Sequence, residues 1–340
     1  MNKFLIYIGR RLILLVFVLI GLSVITFTLS RVVPSDPAAS YIGPHPKPEQ
    51  VARIRVKLGL GEPLYIQYAY YIRDLLHGDL GTSIRTHRPV IKGIINYLPA
   101  SLELMLTAII IALIIGILLG VISAQKENTL VDHTGRLFAV TGVSLPAFWL
   151  GLLFQIFFFR WLGILPLGGR IDTYISVISP VEHMTGFYVI DSLITGNWLA
   201  FKNSILHLIL PAVTLAAYST GIIMRMTRST MLEVNREDYV VAARATGLPE
   251  RVVVFKYTLK NAIGPTLTTA GLAFASMLTG TFFIETIFYW PGLGTYTVKA
   301  ILLIDYPVIM GITLVGAIFY VLVNLVIDLL LAFFDPRIRL

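Results

Sequence analysis

The sequence predicts an all-α integral membrane protein of about six transmembrane helices, and three observations carry that prediction. Only 14% of the residues are charged, against roughly 25% in a domain whose surface must be solvated by water. The apolar residues gather into six runs, each close to the roughly 20 residues a helix needs to cross about 30 Å of hydrocarbon. Where the connecting loops are short, basic residues flank the runs on alternate sides; the segment 34–99 also holds many Lys and Arg but exceeds the roughly 60 residues over which that bias counts.

The first run, 12–29, follows Arg10 and Arg11 and closes on 30–34 (SRVVP). It exceeds the apolar core of about 7–15 residues found in a cleaved signal peptide, so it reads as a retained anchor helix within an N-terminal segment 1–33. Residues 34–100 then form an external segment. Within it, Pro48 opens a helix whose Val51, Ile54 and Leu58 share a face and which ends at Gly59; a second helix follows over 65–76. Residues 101–335 make a five-helix core, with spans at 102–124, 137–159, 205–224, 263–284 and 308–334. The core carries an external, aromatic insertion over 165–204 and a cytoplasmic loop over 229–261.

Orientation follows from charge. Lys3, Arg10 and Arg11, then Lys126 and Arg136, then Arg337 and Arg339 all fall on one side if both termini are cytoplasmic. The stretch 225–260 adds Arg225, Arg228, Arg236, Arg244, Arg251, Lys256 and Lys260 against Glu233, Glu237, Asp238 and Glu250. The net charge of +8 is explained by orientation in a membrane, and no nucleic-acid partner is implied. With no cysteine and six scattered histidines, neither a disulfide nor a metal cluster is expected, nor is catalysis by this chain.

Several residues have a packing reading beside a functional one. Gly116 and Gly120 form a GxxxG pair that lets helices approach closely. Arg225 and Arg228 read as side chains snorkelling to headgroups. Tyr289 and Trp290 read as an interfacial aromatic pair. Glu103, Glu285 and Asp305 fall near external ends of runs, whereas Asp328 lies inside the last run with Asn324 one turn earlier. An ionisable group at that depth is a candidate for the solute path, and the alternative is a hydrogen bond between helices.

The most informative stretch is 235–249 (NREDYVVAARATGLP). Asn235 is suited to cap a helix, Glu237 and Asp238 favour its first turn, and Ala242, Ala243 and Ala245 are strong helix formers. Gly247 can take a left-handed closing conformation, and Pro249 blocks continuation. A second helical stretch is expected from Pro249 to Ala262, before Gly264 and Pro265 mark the fifth span. A helix of about three turns standing alone in water is marginal. It packs either on a cytoplasmic partner or on this chain's own spans and the headgroups.

The segment resembles the EAA loop of ABC-importer permeases: Glu-Ala-Ala, three residues, Gly, then about nine residues to Ile-x-Leu-Pro. Ala242, Ala243, Gly247 and Leu259 match that pattern, whereas Val241, Tyr257 and Lys260 depart from it. The departures resemble the dipeptide/oligopeptide branch, which Asp238, Tyr239, Val240, Ala243, Arg244, Ala245, Gly247 and Leu248 fit in order. Further motifs of that branch stand at 78–83 (GDLGTS), 98–104 (LPASLEL), 146–151 (PAFWLG), 208–212 (LILPA), 290–294 (WPGLG) and 335–337 (DPR).

The resemblance implies a type I ABC-importer permease, specifically the B-type subunit. Its partners would be a homologous C-type permease, two ATPases that bind ATP and magnesium, an external solute-binding protein and the lipid membrane. The ATPase-coupling residues would be Asp238, Tyr239, Ala242, Ala243, Arg244, Gly247 and Leu248. This chain has no Gly-Lys pair and hence no phosphate-binding loop, so the motor must be separate. The implied cargo is di- or oligopeptide; oligosaccharides and nickel chelates are alternatives within the branch. A stand-alone secondary transporter is the rival of a different class. It predicts related halves and charges at the midplane of several spans, which the sequence does not display.

Overall fold

The computed structural model describes residues 2–31, 38, 42, 47–57 and 59–334, and the described residues are helical apart from turns and one isolated bridge between Thr82 and Pro89. The helices are α1 (Asn2–Arg31), α2 (Pro48–Lys57), α3 (Leu64–Leu76), α4 (Val90–Gln125), α5 (Leu130–Ser144), α6 (Ala147–Phe154), α7 (Thr173–Ile178), α8 (Tyr188–Ile194), α9 (Trp198–Val234), α10 (Asp238–Ala245), α11 (Glu250–Ile287), α12 (Leu293–Leu302) and α13 (Tyr306–Phe334). α6 continues in π-helical turns over Gln155–Trp161, and α11 contains a π-helical stretch at Val253–Leu259.

Among the described residues, α4, α9, α11 and α13 are each long and apolar enough to cross a membrane. The expected third span is instead two helices, α5 and α6, bent by 109°, and counts as a fifth crossing if the pair is one broken span. Pro146 is the cause: it lacks an N–H and pushes Leu145 into extended backbone (φ −82, ψ 133). α1 carries the apolar stretch Ile13–Leu29. The side chains of Lys3, Arg10 and Arg11, and all of 335–337, lie outside the described residues.

The chain divides into two units. One comprises residues up to Pro99 together with Pro291–Leu322. Here α1 meets α3 through paired hydroxyls, Ser23 with Tyr68 at 2.7 Å and Thr26 with Tyr71 at 2.9 Å. The expected helices at 48 and 65 are present, and Gly59 takes φ +60. A core of Val90, Ile94, Leu293, Ala300, Val308 and Ile312 joins α4, α12 and α13, and Tyr97 stacks on Tyr296 at 4.8 Å. The loop after α3 is clasped by Asp305, which accepts from Ser83 Oγ at 2.6 Å and Ile84 N at 3.2 Å.

The other unit, Ala100–Trp290 with Val323–Arg339, is built around α9. Gly116 and Gly120 lie against it so closely that an added Cβ would stand 2.8 Å from Ile223 and 2.6 Å from Thr227, respectively. The GxxxG pair is thus a close-packed helix crossing. Gly221 of α9 meets α5 in the same way, with Ala139 O at 2.5 Å from its would-be Cβ. The 165–204 stretch supplies α7, α8 and the first turns of α9.

Candidate functional site

The residues 235–259 form a compact knot at the end of α9. α10 spans eight residues, Asp238–Ala245, just over two turns and shorter than expected. Its N-terminal flank is Glu237, not Asn235, and Glu237 makes no side-chain cap. Asn235 closes α9 instead, and its Oδ1 accepts from Thr258 Oγ1 at 2.9 Å and from Arg244 Nη2 at 3.2 Å. Asn235 suits a helix start by residue type, but its hydrogen bonds tie three segments together.

The close of α10 follows expectation. Gly247 has φ +79, and Leu248 N reaches back to Ala243 O at 3.4 Å while Gly247 N donates to Arg244 O at 3.0 Å. These bonds satisfy carbonyls that the helix end would leave unpaired. The chain then turns at Pro249 and runs on as α11 without a break at Gly264 or Pro265, so the expected boundary there is absent.

One face of α10 is held by its own chain. Val240, Ala243 and Val253 are buried together, with Val234 and Tyr257 packed against them. Ala243, expected on the contact face, is therefore an anchor. The other face is open: Asp238, Tyr239, Val241, Ala242, Arg244, Gly247 and Leu248 are exposed, and Tyr239 and Val241 expose 43% and 54% of their surface. Tyr239 and Val241 on α10, with Leu248 just beyond its end, leave apolar surface that the rest of the chain does not cover. Arg244 also pairs with Glu250 at 3.1 Å across the turn.

Other sequence candidates resolve differently. Arg228 does not snorkel; its guanidinium grips Asp132 through Nε at 2.6 Å and Nη2 at 2.7 Å. Asp132 is fully buried and was missed, because an acid at the start of a helix reads as an ordinary first-turn residue. Trp290 is a core residue, 1% exposed, that donates to Ala100 O at 2.8 Å; only Tyr289 is exposed. Glu103 accepts from buried Arg170, which lies 3.8 Å over the Tyr188 ring, and from Val189 N at 2.9 Å. Glu285 accepts from Ser101 Oγ at 2.5 Å. Asn324 is half-buried on α13, and the Asp328 side chain lies outside the described residues.

Among the described residues no group of three metal-ligating side chains converges. What the knot can do is mechanical: it joins the ends of two long apolar helices to one exposed helical face.

The family described as "Binding-protein-dependent transport system inner membrane component" matches residues 116–340, and its N-terminal companion matches 1–105. The chain belongs to this family. It is a transport permease, not an enzyme. It is 48% identical to the "Probable D,D-dipeptide transport system permease protein" of Escherichia coli, over 95% of this chain and 94% of the relative. It is 45% identical to the "Dipeptide transport system permease protein" of Alkalihalophilus pseudofirmus, over 98% and 99%. A glutathione transport system permease protein of Salmonella choleraesuis is 36% identical over 98% of both chains. The permease lies in the membrane with several spans, and its helical fold is the type I ABC-importer permease fold.

Proposed function

We propose that this permease forms half of the translocation path for di- or oligopeptides in an ATP-driven importer. Its partners in that reading are a homologous C-type permease, two ATPases that bind magnesium and ATP, and an external binding protein that delivers cargo. The cargo assignment draws on the dipeptide relatives at 45% and 48% identity. The observation that carries the coupling role is α10, held on one side by Val240 and Ala243 and open on the other through Asp238, Tyr239, Ala242, Arg244, Gly247 and Leu248. That face docks on an ATPase, and Gly247 keeps the turn behind it tight.

The same reading places both termini, α10 and Arg251 in the cytoplasm, and α7 and α8 outside. On α13, Asn324 and Asp328 are assigned to the solute path. Replacing Asn324 with Ala then alters cargo affinity and leaves basal ATP hydrolysis intact.

Reconstitution in liposomes tests the proposal. The lone chain shows no uptake under a proton or sodium gradient. The full set of two permeases, two ATPases and binding protein takes up radiolabelled dipeptide on adding ATP. Gradient-driven uptake by the chain alone would identify a secondary transporter instead. ATP-driven uptake of an oligosaccharide or a nickel chelate, with none of peptide, would refute the cargo.

A further inference from the structure

We propose that Asp132 and Arg228 are positioning residues for transport: they lock the turn between α4 and α5 onto the end of α9, so that this turn and α10 move as one body. The inference rests on the docking role assigned to α10.

Asp132 exposes none of its surface, and its carboxylate is saturated. Arg228 Nε and Nη2 reach its two oxygens at 2.6 and 2.7 Å, Ser123 Oγ donates at 2.5 Å and Asn128 N at 3.1 Å. Arg136 Nε stands a further 3.7 Å away. A forked guanidinium on a carboxylate fixes orientation as well as distance. Three segments meet there: Ser123 closes α4, Asp132 opens α5, and Arg228 belongs to α9.

From Arg228 it is about two helical turns to Asn235. Asn235 accepts from Arg244 of α10 and from Thr258 of α11. Between those points Met231 of α9 is buried against Val121 and Ala124 of α4 and Val254 of α11. A push on α10 therefore passes through bonded and close-packed atoms to the first turn of α5. Beyond α5 the chain bends by 109° into α6 at Leu145 and Pro146.

A pair serving stability alone would change how much complex folds. A positioning pair changes how much solute moves per ATP. The test uses the complete complex in liposomes, with spin labels on Ala245→Cys and His133→Cys; this chain has no native cysteine, and both sites are exposed. The label-to-label distance is expected to stay unchanged between the nucleotide-free and ATP-bound states. Asp132→Asn should broaden it and lower transport on the order of tenfold, with ATP hydrolysis held within about twofold. Arg228→Lys, which keeps the charge and loses the fork, should fall between, and covers the case in which Asp132→Asn fails to assemble.

A distance that changes on ATP binding in the unmodified pair would overturn the proposal. So would transport and hydrolysis falling in equal proportion in both variants, or neither falling. Docking is scored separately: if Leu248→Asp keeps its ATPases on co-purification, the docking reading fails whatever the labels report.

Discussion

The Oδ1 of Asn235 accepts a hydrogen bond from Thr258 Oγ1 at 2.9 Å, across a chain separation of 23 residues. Thr258 is wholly buried, so removing its acceptor strands a hydroxyl. An unsatisfied buried polar group costs about 1–3 kcal/mol. Asn235→Ala is expected to lower the thermal unfolding midpoint of the purified complex. Asn235→Asp, which keeps an acceptor, should restore most of the loss. Equal midpoints for the Ala variant and the parent would show that the knot contributes nothing.

Gly247 has φ +79, and a Cβ there would meet no atom within 4 Å. Substitution is therefore a matter of backbone strain and not of space. Left-handed backbone costs an ordinary residue about 1–2 kcal/mol, less for Asn and more for a β-branched side chain. Transport per ATP hydrolysed should decline in the order Gly, Asn, Ala, Val, while membrane insertion stays constant. Normal coupling in Gly247→Val would remove this turn from the mechanism.

Tyr239 and Leu248 are exposed, and their neighbours Val240 and Ala243 are buried. Tyr239→Ala and Leu248→Asp should release the ATPases on co-purification without altering the folding of the lone chain in detergent. Val240→Asp should do the reverse and damage folding first. If the exposed-face variants retained their ATPases, the open side of α10 would not be the docking face.

The elements that repeat over many residues were legible in the sequence. Apolar runs located α4, α9, α11 and α13, because hydrocarbon demands length and internal hydrogen bonding and little else. Short signals between the runs were legible where one residue type has one use, as with Gly59 and Gly247 at positive φ. They failed where a residue has several uses. Asn235 suits a helix start, yet it closes α9; Pro265 suits a boundary, yet it sits inside α11. Arg228 looked like a surface cation because Asp132, its partner, is 96 residues away and outside any run. Trp290 looked interfacial because nothing in its neighbourhood revealed that Ala100 would accept from its indole.

Asp191 organises the turn before α8. Its buried carboxylate accepts from Thr185 Oγ1 at 2.6 Å, Thr185 N at 2.8 Å, Gly186 N at 2.9 Å and Met184 N at 3.2 Å. Burial pushes its pKa up, but these donors outweigh burial and hold it below the usual carboxylate value. The unfolded turn thus takes up a proton first as pH falls. The carboxylate's stabilisation is complete at neutral pH and declines as pH drops below about 4. Hydrogen exchange at residues 184–191 should accelerate across that window, relative to the intrinsic rate. In Asp191→Asn the exchange should be faster at neutral pH and lack the acid transition. A flat profile in the parent would show that the turn is held by other contacts.

Placement of both termini in the cytoplasm is testable because the chain has no cysteine of its own. Thr86, Tyr174 and Arg251 are all exposed, so a cysteine at any of them is reachable by reagent from whichever side it faces. Thr86 lies in the segment after α3, Tyr174 on α7 and Arg251 at the start of α11. With the amino terminus inside, the first and third crossings lead outward, which puts Thr86 and Tyr174 outside and Arg251 inside. An impermeant maleimide should label Thr86→Cys and Tyr174→Cys in intact cells, and Arg251→Cys only after the membrane is opened. The bent pair makes Tyr174 the decisive site. If α5 and α6 dip into the membrane and return instead of crossing it, Tyr174→Cys stays on the same side as the α4–α5 turn and remains unlabelled in intact cells. Labelling of Arg251→Cys in sealed cells would invert α10 and leave no cytoplasmic helix for an ATPase to grip.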